Sequence, residues 1–386
     1  MYRFSIDRGG TFCDLYAELP DNTTVVRKLL SVNPYHYADA PTEGIRRVLA
    51  EFEPESEQHK YTRSSPIDGG KIGSIRMGTT VATNALLERS GERCGYLTTL
   101  GLETLLEIGN QSRSQIFDLT TRKNDQLYEV VMEVEERVML FNSENDNDRA
   151  SVENSDSDSN PTPPTPPIKC STGEYIKILQ PLNKTKVKQQ LQTILDLGIK
   201  AVAVALLHSF IFPQHEIEIG EIARSLGFTQ ISLSHQVMKK VKLVPRASTT
   251  VASAYLSPSI HRYLQSFISG FAADSLASCE LLFMRSDGGL TPFDDFGGHQ
   301  AILSGPAGGV VGYAKSAYRR NTNTNTNTNS TISPVIGFDM GGTSTDVSRY
   351  SGSLEHVFES TIADINMATV QVSERSERAL MKTSQT

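Results

Sequence analysis

One pattern occurs twice in this chain of 386 residues, once near the start and once far along the sequence. Residues 7–14 read DRGGTFCD and residues 339–346 read DMGGTSTD, so both have the form D-x-G-G-T-x-x-D. Each copy lies between short apolar runs, which predicts a strand, a tight turn and a second strand. Any fold for this chain must therefore accommodate two matching β-hairpins.

The turn of each hairpin has the composition of a phosphate-binding loop. Paired glycines allow positive φ and let backbone N–H groups approach an anion closely. We expect phosphate contacts from Gly9, Gly10, Thr11, Gly341, Gly342 and Thr343. Asp7 and Asp339 are the predicted Mg²⁺ ligands, directly or through water, because Mg²⁺ prefers oxygen and keeps part of its hydration shell. An ordinary tight hairpin is the alternative for one copy, and two copies at identical spacing weaken it.

Other phosphate loops are missing from the sequence. Neither G-x-x-x-x-G-K-[ST] nor G-x-G-x-x-G before a helix occurs. Two hairpins facing one cleft would hold one nucleotide triphosphate, an arrangement that resembles the actin-like ATPase superfamily. The sequence predicts strands, including 94–99 and 280–284, that alternate with helices, including 183–197 and 215–226, each of which is followed by a glycine. This alternation indicates an α/β fold. The resemblance implies the ribonuclease H-like architecture of that superfamily.

Several further residues are candidates for the same site. Asp14 and Asp346 would position water or brace the turns, and Arg8 would neutralise phosphate or substrate charge, with a solvated turn arginine as its alternative. Thr79 and Thr80 open a predicted helix and would either bind an anion or cap the helix. Gly308 and Gly309 precede a helix predicted over 310–318, where either close ligand approach or tight packing explains glycine.

Three other features are candidates for either a site or a structural role. The loop 286–289 (SDGG) follows a predicted strand and would face a cleft at the sheet's carboxyl edge. His208, His215 and Glu216 allow a metal cluster, but a capping histidine plus a surface pair is the favoured interpretation. Cys13 is interpreted as a small core residue, because no histidine partner is evident.

Composition limits the function classes. The net charge of −7 disfavours general nucleic-acid binding, and the apolar runs are too short to span a bilayer. Four scattered cysteines and the absence of a signal-peptide pattern predict a cytoplasmic protein. We expect no nucleic-acid or membrane partner, and the sequence leaves open whether the chain forms a homodimer.

The chain is predicted to contain two domains and a tail. We place them at 1–232, 233–366 and 367–386, with a disordered acidic and Pro/Thr-rich insertion at 142–167 and a flexible Asn/Thr-rich loop at 321–330. The first domain carries the first hairpin and the second domain carries the other.

Longer segments resemble the hydantoinase/5-oxoprolinase family. They are 4–14, 28–32, 39–47 (DAPTEGIRR), 77–89, 208–216, 286–289, 303–312 and 338–348. Residues 8, 28–32 and 39–47 are more similar to the ATP-dependent 5-oxoprolinases than to bacterial hydantoinases. The resemblance implies ATP and Mg²⁺ as cofactors and 5-oxo-L-proline as substrate, whose lactam is opened to L-glutamate in the γ-glutamyl cycle of glutathione.

The tail at 367–386 departs from the family pattern. Family members continue far beyond this point, and the adenosine-binding part of an actin-like ATPase normally follows the second hairpin. We therefore expect a truncated product whose second half is incomplete and whose activity is in question. A hydantoinase, a small-molecule kinase, or a non-catalytic nucleotide-binding remnant are the alternatives.

Overall fold

The computed structural model describes residues 1–58, 60–63, 65–109, 126–141, 167–318, 334–340, 345–354, 356–357, 360–363, 365–368 and 371–372. The predicted loop 321–330 and all but the last residue of the predicted insertion 142–167 lie outside these ranges. The chain divides into two compact units. Unit 1 consists of Met1–Gly91, Leu256–Ala363 and Thr369–Thr386, and unit 2 consists of Glu92–Tyr255 and Asp364–Ala368. The domain limits predicted from sequence stay a prediction.

The strands and helices have the following bounds. The described strands are β1 (Tyr2–Arg8), β2 (Phe12–Glu18), β3 (Thr24–Leu30), β4 (Ile72–Thr79), β5 (Cys94–Thr99), β6 (Val130–Val134), β7 (Arg137–Phe141), β8 (Ile168–Lys169), β9 (Tyr175–Gln180), β10 (Ala201–Ala205), β11 (Gln230–Leu233), β12 (Glu280–Met284), β13 (Leu290–Pro292), β14 (Val335–Met340), β15 (Thr345–Tyr350), β16 (His356–Val357), β17 (Ser360–Ile362), β18 (Ile365–Met367) and β19 (Gln371–Val372). The described α-helices are α1 (Ala40–Phe52), α2 (Glu55–Gln58), α3 (Val81–Leu87), α4 (Leu105–Ile108), α5 (Lys184–Asp196), α6 (Gln214–Leu226), α7 (Ser234–Val237), α8 (Leu243–Ile268), α9 (Gly298–Ala301) and α10 (Ser304–Ser316).

Unit 1 is built on a six-stranded sheet in the order β13-β12-β4-β1-β2-β3. Strands β1, β2 and β3 pair antiparallel, whereas β4 pairs parallel with both β1 and β12. This order and these directions agree with the ribonuclease H-like architecture implied by the resemblance, and the α/β prediction is confirmed. The arrangement puts both strands of the first hairpin inside the sheet, between β4 and the edge strand β3.

Helix α1 covers one face of this sheet. Asp39 caps it by accepting a hydrogen bond from the backbone N–H of Thr42 at 2.9 Å. Ile45, Val48 and Leu49 on its inner face are fully buried. A Cβ at Gly44 would lie 2.8 Å from Cδ1 of Leu15, so glycine lets the helix approach the sheet closely.

Unit 2 contains a four-stranded parallel sheet in the order β11-β10-β5-β6. Every residue of β10 and β5 is buried, as expected for strands covered on both faces. Helices α5 and α6 both lead into glycines with positive φ, Gly198 at 77° and Gly227 at 94°, as the sequence predicted. Part of the polar tail predicted from sequence belongs here, since Met367 and Ala368 are buried.

Candidate nucleotide-binding site

The first hairpin joins β1 to β2, and its two aspartates lie directly opposite each other. Asp7 pairs with Asp14 in the antiparallel register. The turn is closed by a hydrogen bond from Gly9 N to Phe12 O at 2.9 Å. Ser31 ties it to the end of β3, since its hydroxyl donates to Gly9 O at 2.6 Å and its N–H donates to Thr11 O at 2.9 Å. The turn is therefore held in shape by the protein itself.

Gly9 is needed for space rather than for left-handed backbone geometry. Its φ lies outside the positive range that favours glycine, which differs from the expectation for a Gly-Gly turn. A Cβ at this position would lie 3.1 Å from Phe12 O, tighter than ordinary contacts. The missing side chain allows the turn to close and leaves its partly exposed backbone open to an anion.

The two strands of the second hairpin repeat the pairing of the first. Asp339 on β14 lies opposite Asp346 on β15 in the antiparallel register. The predicted phosphate residues Gly341, Gly342 and Thr343 lie outside the described residues. Helix α10 supports this hairpin, because the Tyr313 hydroxyl and Ser348 Oγ are 2.6 Å apart.

The first aspartates of the two hairpins lie close enough to interact. Desolvation by the surrounding protein raises the pKa of the Asp7 carboxyl above its usual value. The negative charges of Asp339 and then Asp14 raise it further, and the positive charge of Lys28 partly opposes them. The Lys28 ammonium lies 2.8 Å from Asp14, so Asp14 is already paired while Asp7 keeps an exposed surface. Repulsion between like charges makes Asp7 and Asp339 a favourable place for a cation.

A fully preformed metal site is not seen in the described part of the chain. No three His, Cys, Asp or Glu side chains are arranged there to hold a metal ion. Mg²⁺ is often bound by one or two carboxylates together with water and substrate phosphates. The Asp7–Asp339 pair fits that type of site.

Arg8 is more restrained than a solvated turn arginine. Its guanidinium lies over the Tyr263 ring, 4.8 Å from the centroid, and its Nε is buried with no hydrogen-bond partner in the described structure. Stacking on an aromatic ring fixes the guanidinium plane next to the first hairpin. The unpaired Nε is a donor that an anion could use.

Thr79 and Thr80 follow β4, beside the first hairpin. Thr80 N donates to Arg8 O at 3.1 Å, which joins the start of α3 to β1. Thr79 is fully buried and its hydroxyl accepts a bond from Val81 N at 3.3 Å, which favours the capping interpretation for Thr79. Thr80 makes no side-chain cap and remains half-buried.

Helix α10 starts earlier than predicted. It begins at Ser304 instead of residue 310, so Gly308 and Gly309 lie inside a helix rather than in a preceding loop. Pro306 is compatible with this start because it occupies the first turn, where no intrahelical donor is needed. A Cβ at Gly309 would meet nothing within 4 Å, so the described residues give no packing reason for glycine there. An exposed glycine on a helix leaves room for a ligand.

The loop 286–289 is largely bound to the protein itself. The Asp287 carboxylate pairs with Arg285 at 2.6 Å and accepts from Gly289 N at 2.9 Å. Ser286 Oγ donates to Gln300 O at 2.6 Å. These contacts give the loop a structural role.

In unit 2, the prediction of a surface pair at His215 and Glu216 is wrong. Both residues are buried. His215 Nδ1 lies 2.8 Å from Glu136, and Glu216 accepts from Ser234 Oγ at 2.6 Å. Sequence spacing could not reveal these partners, because they come from distant segments. Cys13 is a core residue as predicted, since it is fully buried, and burial followed by the nearby Asp39 raises the pKa of its thiol to about 12.

Comparison with known proteins adds the family. Residues 3–227 match the description "Hydantoinase/oxoprolinase N-terminal region" and residues 246–376 match "Hydantoinase/oxoprolinase". The chain belongs to the hydantoinase/oxoprolinase family. The second match extends past 366, the limit of the resemblance predicted from sequence, and includes the first part of the tail.

Relatives in this family are long proteins. The chain is 48% identical to 5-oxoprolinase 1 of Arabidopsis thaliana, over 94% of this chain and 26% of that protein. It is 46% identical to 5-oxoprolinase of Dictyostelium discoideum, over 96% of this chain and 28% of that protein. The chain therefore spans about a quarter of the length of the curated relatives it matches.

Solved structures support the fold. An ATP-dependent caprolactamase from Pseudomonas jessenii aligns with a TM-score of 0.67 and 22% identity, covering 96% of this chain and 47% of the other. A nucleotide-free acetone carboxylase aligns with a TM-score of 0.66 and 18% identity, covering 97% and 48%. In the described residues, none of the helices is long and apolar enough to cross a membrane.

Proposed function

We propose that this chain forms the phosphate-binding part of an ATP-dependent 5-oxoprolinase, which opens the lactam of 5-oxo-L-proline to give L-glutamate. The observation that carries the proposal is the repeated hairpin, with Asp7 opposite Asp14, Asp339 opposite Asp346, and Asp339 raising the pKa of Asp7. Membership of the hydantoinase/oxoprolinase family and relatives named 5-oxoprolinase support the substrate.

The chain's residues have distinct roles in this proposal. Gly9, Gly10 and Thr11 would contact phosphate with backbone and hydroxyl donors, as would Gly341, Gly342 and Thr343 in the second copy. Asp7 and Asp339 would hold Mg²⁺, which neutralises phosphate charge. Thr80 and the helix glycines Gly308 and Gly309 would border the nucleotide.

Arg8 and the second aspartates would serve the reacting groups. ATP supplies a phosphoryl group, and an amide oxygen carrying phosphate makes the lactam carbon a better electrophile for water. Phosphoryl transfer depends on positioning and charge neutralisation, which suits a fixed guanidinium such as Arg8. Asp14 would brace its hairpin, because Lys28 already pairs with it at 2.8 Å. Asp346 would brace the other hairpin or position water.

The cellular setting is also a proposal. A cytoplasmic location is supported by the free thiols of all four cysteines, Cys13, Cys94, Cys170 and Cys279. A homodimer stays a candidate assembly.

The test is product analysis. The chain is incubated with Mg-ATP in the presence and absence of 5-oxo-L-proline, and both phosphate and glutamate are measured. Release of phosphate that rises with 5-oxo-L-proline, with equal glutamate, is the expected result for a competent chain. A stable phosphorylated product instead would identify a kinase. No stimulation in a polypeptide of the relatives' length carrying this segment would reject the proposed reaction.

A further inference from the structure

Unit 1 contains a cavity that none of the proposed phosphate residues lines. Its volume is about 550 Å³, which lies in the range of about 300–1,000 Å³ typical of small-molecule sites. The segment 34–46 before and within α1, the segment 63–66, and the end of α8 form its walls. The cavity is therefore large enough for a compact metabolite.

The walls carry charges that suit a small anion with a polar N–H group. Arg46 and Arg63 supply two positive charges, and Asp39 supplies one negative charge. Hydroxyl groups from Thr42, Ser65 and Ser266 add polar contacts. The sum of these formal charges is one positive charge, which suits a monocarboxylate.

Both guanidinium groups have N–H donors beyond those that their hydrogen bonds to the described residues use. Arg46 donates to Glu43 at 3.2 Å and to Ser65 O at 3.1 Å, and in the described structure its Nε has no partner. Arg63 is exposed and donates to Tyr35 O at 2.8 Å. A guanidinium has five N–H donors in a planar fork that matches a carboxylate. The remaining donors can bind a ligand.

Asp39 offers the complementary acceptor. Its Oδ2 accepts from the N–H of Thr42 at 2.9 Å and from the Thr42 hydroxyl at 2.6 Å. These bonds fix the carboxylate and leave Oδ1 for another donor. An amide N–H of a ligand is a donor of that type.

The cavity lies near the first phosphate hairpin within the same unit. Burial, followed by the nearby Asp39 carboxylate, raises the pKa of Tyr263, and the same carboxylate also raises the pKa of Cys13. The Tyr263 ring in turn carries the Arg8 guanidinium at 4.8 Å. Direct contacts join the two as well, because Tyr37 in the cavity wall donates its hydroxyl to Leu30 O at 2.7 Å and the next residue, Ser31, donates to Gly9 O at 2.6 Å.

We propose that this cavity binds the small cyclic amide, with its carboxylate at Arg46 and Arg63 and its ring N–H at Asp39. This inference rests on the proposed function. Asp39, Thr42 and Arg46 belong to the segment 39–47, which is more similar to 5-oxoprolinases than to hydantoinases. 5-Oxoproline carries a carboxylate and hydantoin does not, so Arg46 of this segment together with Arg63 would discriminate between the two substrates.

The test is a binding measurement with a charge-matched control. 5-Oxo-L-proline and 2-pyrrolidinone, which is the same ring without the carboxylate, are titrated into the chain by calorimetry without nucleotide. We expect Arg63→Gln to weaken 5-oxo-L-proline binding by about tenfold or more, because a charged hydrogen bond is lost. Arg76→Gln removes one charge from β4 of the same unit, outside the cavity, and should leave binding within about twofold. Weak 2-pyrrolidinone binding should not respond to Arg63→Gln.

Hydrogen exchange then locates the ligand. 5-Oxo-L-proline should slow exchange in the segments 34–46 and 60–67. Protection elsewhere, equal effects of Arg63→Gln and Arg76→Gln, or no binding at all would overturn the cavity assignment. A parallel Mg-ATP titration separates the two proposals. A chain that binds Mg-ATP but not 5-oxo-L-proline rejects the cavity alone, and the reverse result counts against the nucleotide site alone.

Discussion

At the scale of single residues, the carboxylates of the repeated motif show what sequence can and cannot predict. The motif predicts Asp7 and Asp339 as Mg²⁺ ligands from residue type alone, because Mg²⁺ prefers oxygen ligands, and that assignment stays a prediction. The motif could not show that Lys28 forms an ion pair with Asp14, because that contact depends on the register between β2 and β3. Likewise, the partners of Glu216 come from segments that sequence spacing does not connect.

The charge on Asp7 is expected to oppose folding at neutral pH. Its pKa is raised in the folded protein, by the surrounding protein first and then by Asp339 and Asp14. The folded state therefore binds more protons than the unfolded chain, and stability falls as pH rises from the ordinary value of 3.8 through the raised pKa. Asp7→Asn should raise the thermal midpoint at pH 7 and reduce the loss of stability across that window, as measured by calorimetry over a pH series.

Asp21 provides the control for this variant. Hydrogen bonds from Thr23 lower the pKa of Asp21, which is the opposite shift. Asp21→Asn should therefore give no gain in stability at pH 7. An Asp7→Asn midpoint at or below that of the wild type would contradict the raised pKa of Asp7, to which desolvation and the Asp339 charge both contribute.

Arg246 is expected to be essential for the stability of unit 2. It is fully buried and donates to Ser234 Oγ at 3.0 Å and to Leu206 O at 2.6 Å. Arg246→Met would leave Glu216 without the nearby positive charge and several acceptors unpaired, which costs about 3–5 kcal/mol. Urea unfolding, with hydrogen exchange of the β10 amides as the probe, measures this loss of stability. Arg224→Met, at an exposed position of α6, should change stability by less than about 0.5 kcal/mol.

At the scale of elements, regular apolar patterns gave accurate limits and glycine-rich segments did not. The strands β5 and β12 begin and end where the sequence predicted. The start of α10 was missed, because Gly305, Gly308 and Gly309 have low helix propensity and the contacts of this helix with the sheet override it. Local propensity is a weak guide where tertiary packing selects the structure.

The glycine at position 309 is expected to limit the stability of α10 while serving a ligand. Gly309→Ala should stabilise the chain by about 0.5–1 kcal/mol, because alanine favours the helix and its Cβ meets no atom within 4 Å. The same variant should weaken Mg-ATP binding if the nucleotide approaches this face. Gly44→Ala is the contrasting variant, since its Cβ would lie 2.8 Å from Leu15 and should destabilise the chain. If Gly309→Ala stabilises the chain and leaves its Mg-ATP affinity unchanged, Gly309 does not belong to the nucleotide site.

The two hairpins differ in how their apolar faces are covered. Phe4 on β1 is 1% exposed, whereas Ile336, which has the equivalent position in the repeat, is 70% exposed. Phe4→Ala should therefore cost about 3–5 kcal/mol, as expected for truncation of a buried aromatic side chain. Ile336→Ala should change stability by less than about 0.5 kcal/mol. Chemical denaturation measures both, and similar losses would mean that the second hairpin is packed as tightly as the first.

At the scale of the whole molecule, the α/β class could be predicted and the detailed topology could not. The alternation of strands and helices identified the class. The sheet of unit 1, however, recruits β12 beside β4 across a long separation in sequence, and that pairing follows from tertiary packing. The same pairing brings the segment preceding α10 into the unit that holds both hairpins.

The central claim is that both hairpins bind one Mg-ATP together. Calorimetric titration of Mg-ATP into the wild-type chain, Asp7→Asn, Asp339→Asn and the double variant tests it most directly, with Asp21→Asn as the control. We predict that each single variant at the site weakens binding by about tenfold or more, that the double variant loses less than the sum of the two because the sites are coupled, and that the control binds as the wild type does. Wild-type affinity in Asp339→Asn, or additive losses in the double variant, would contradict a shared site.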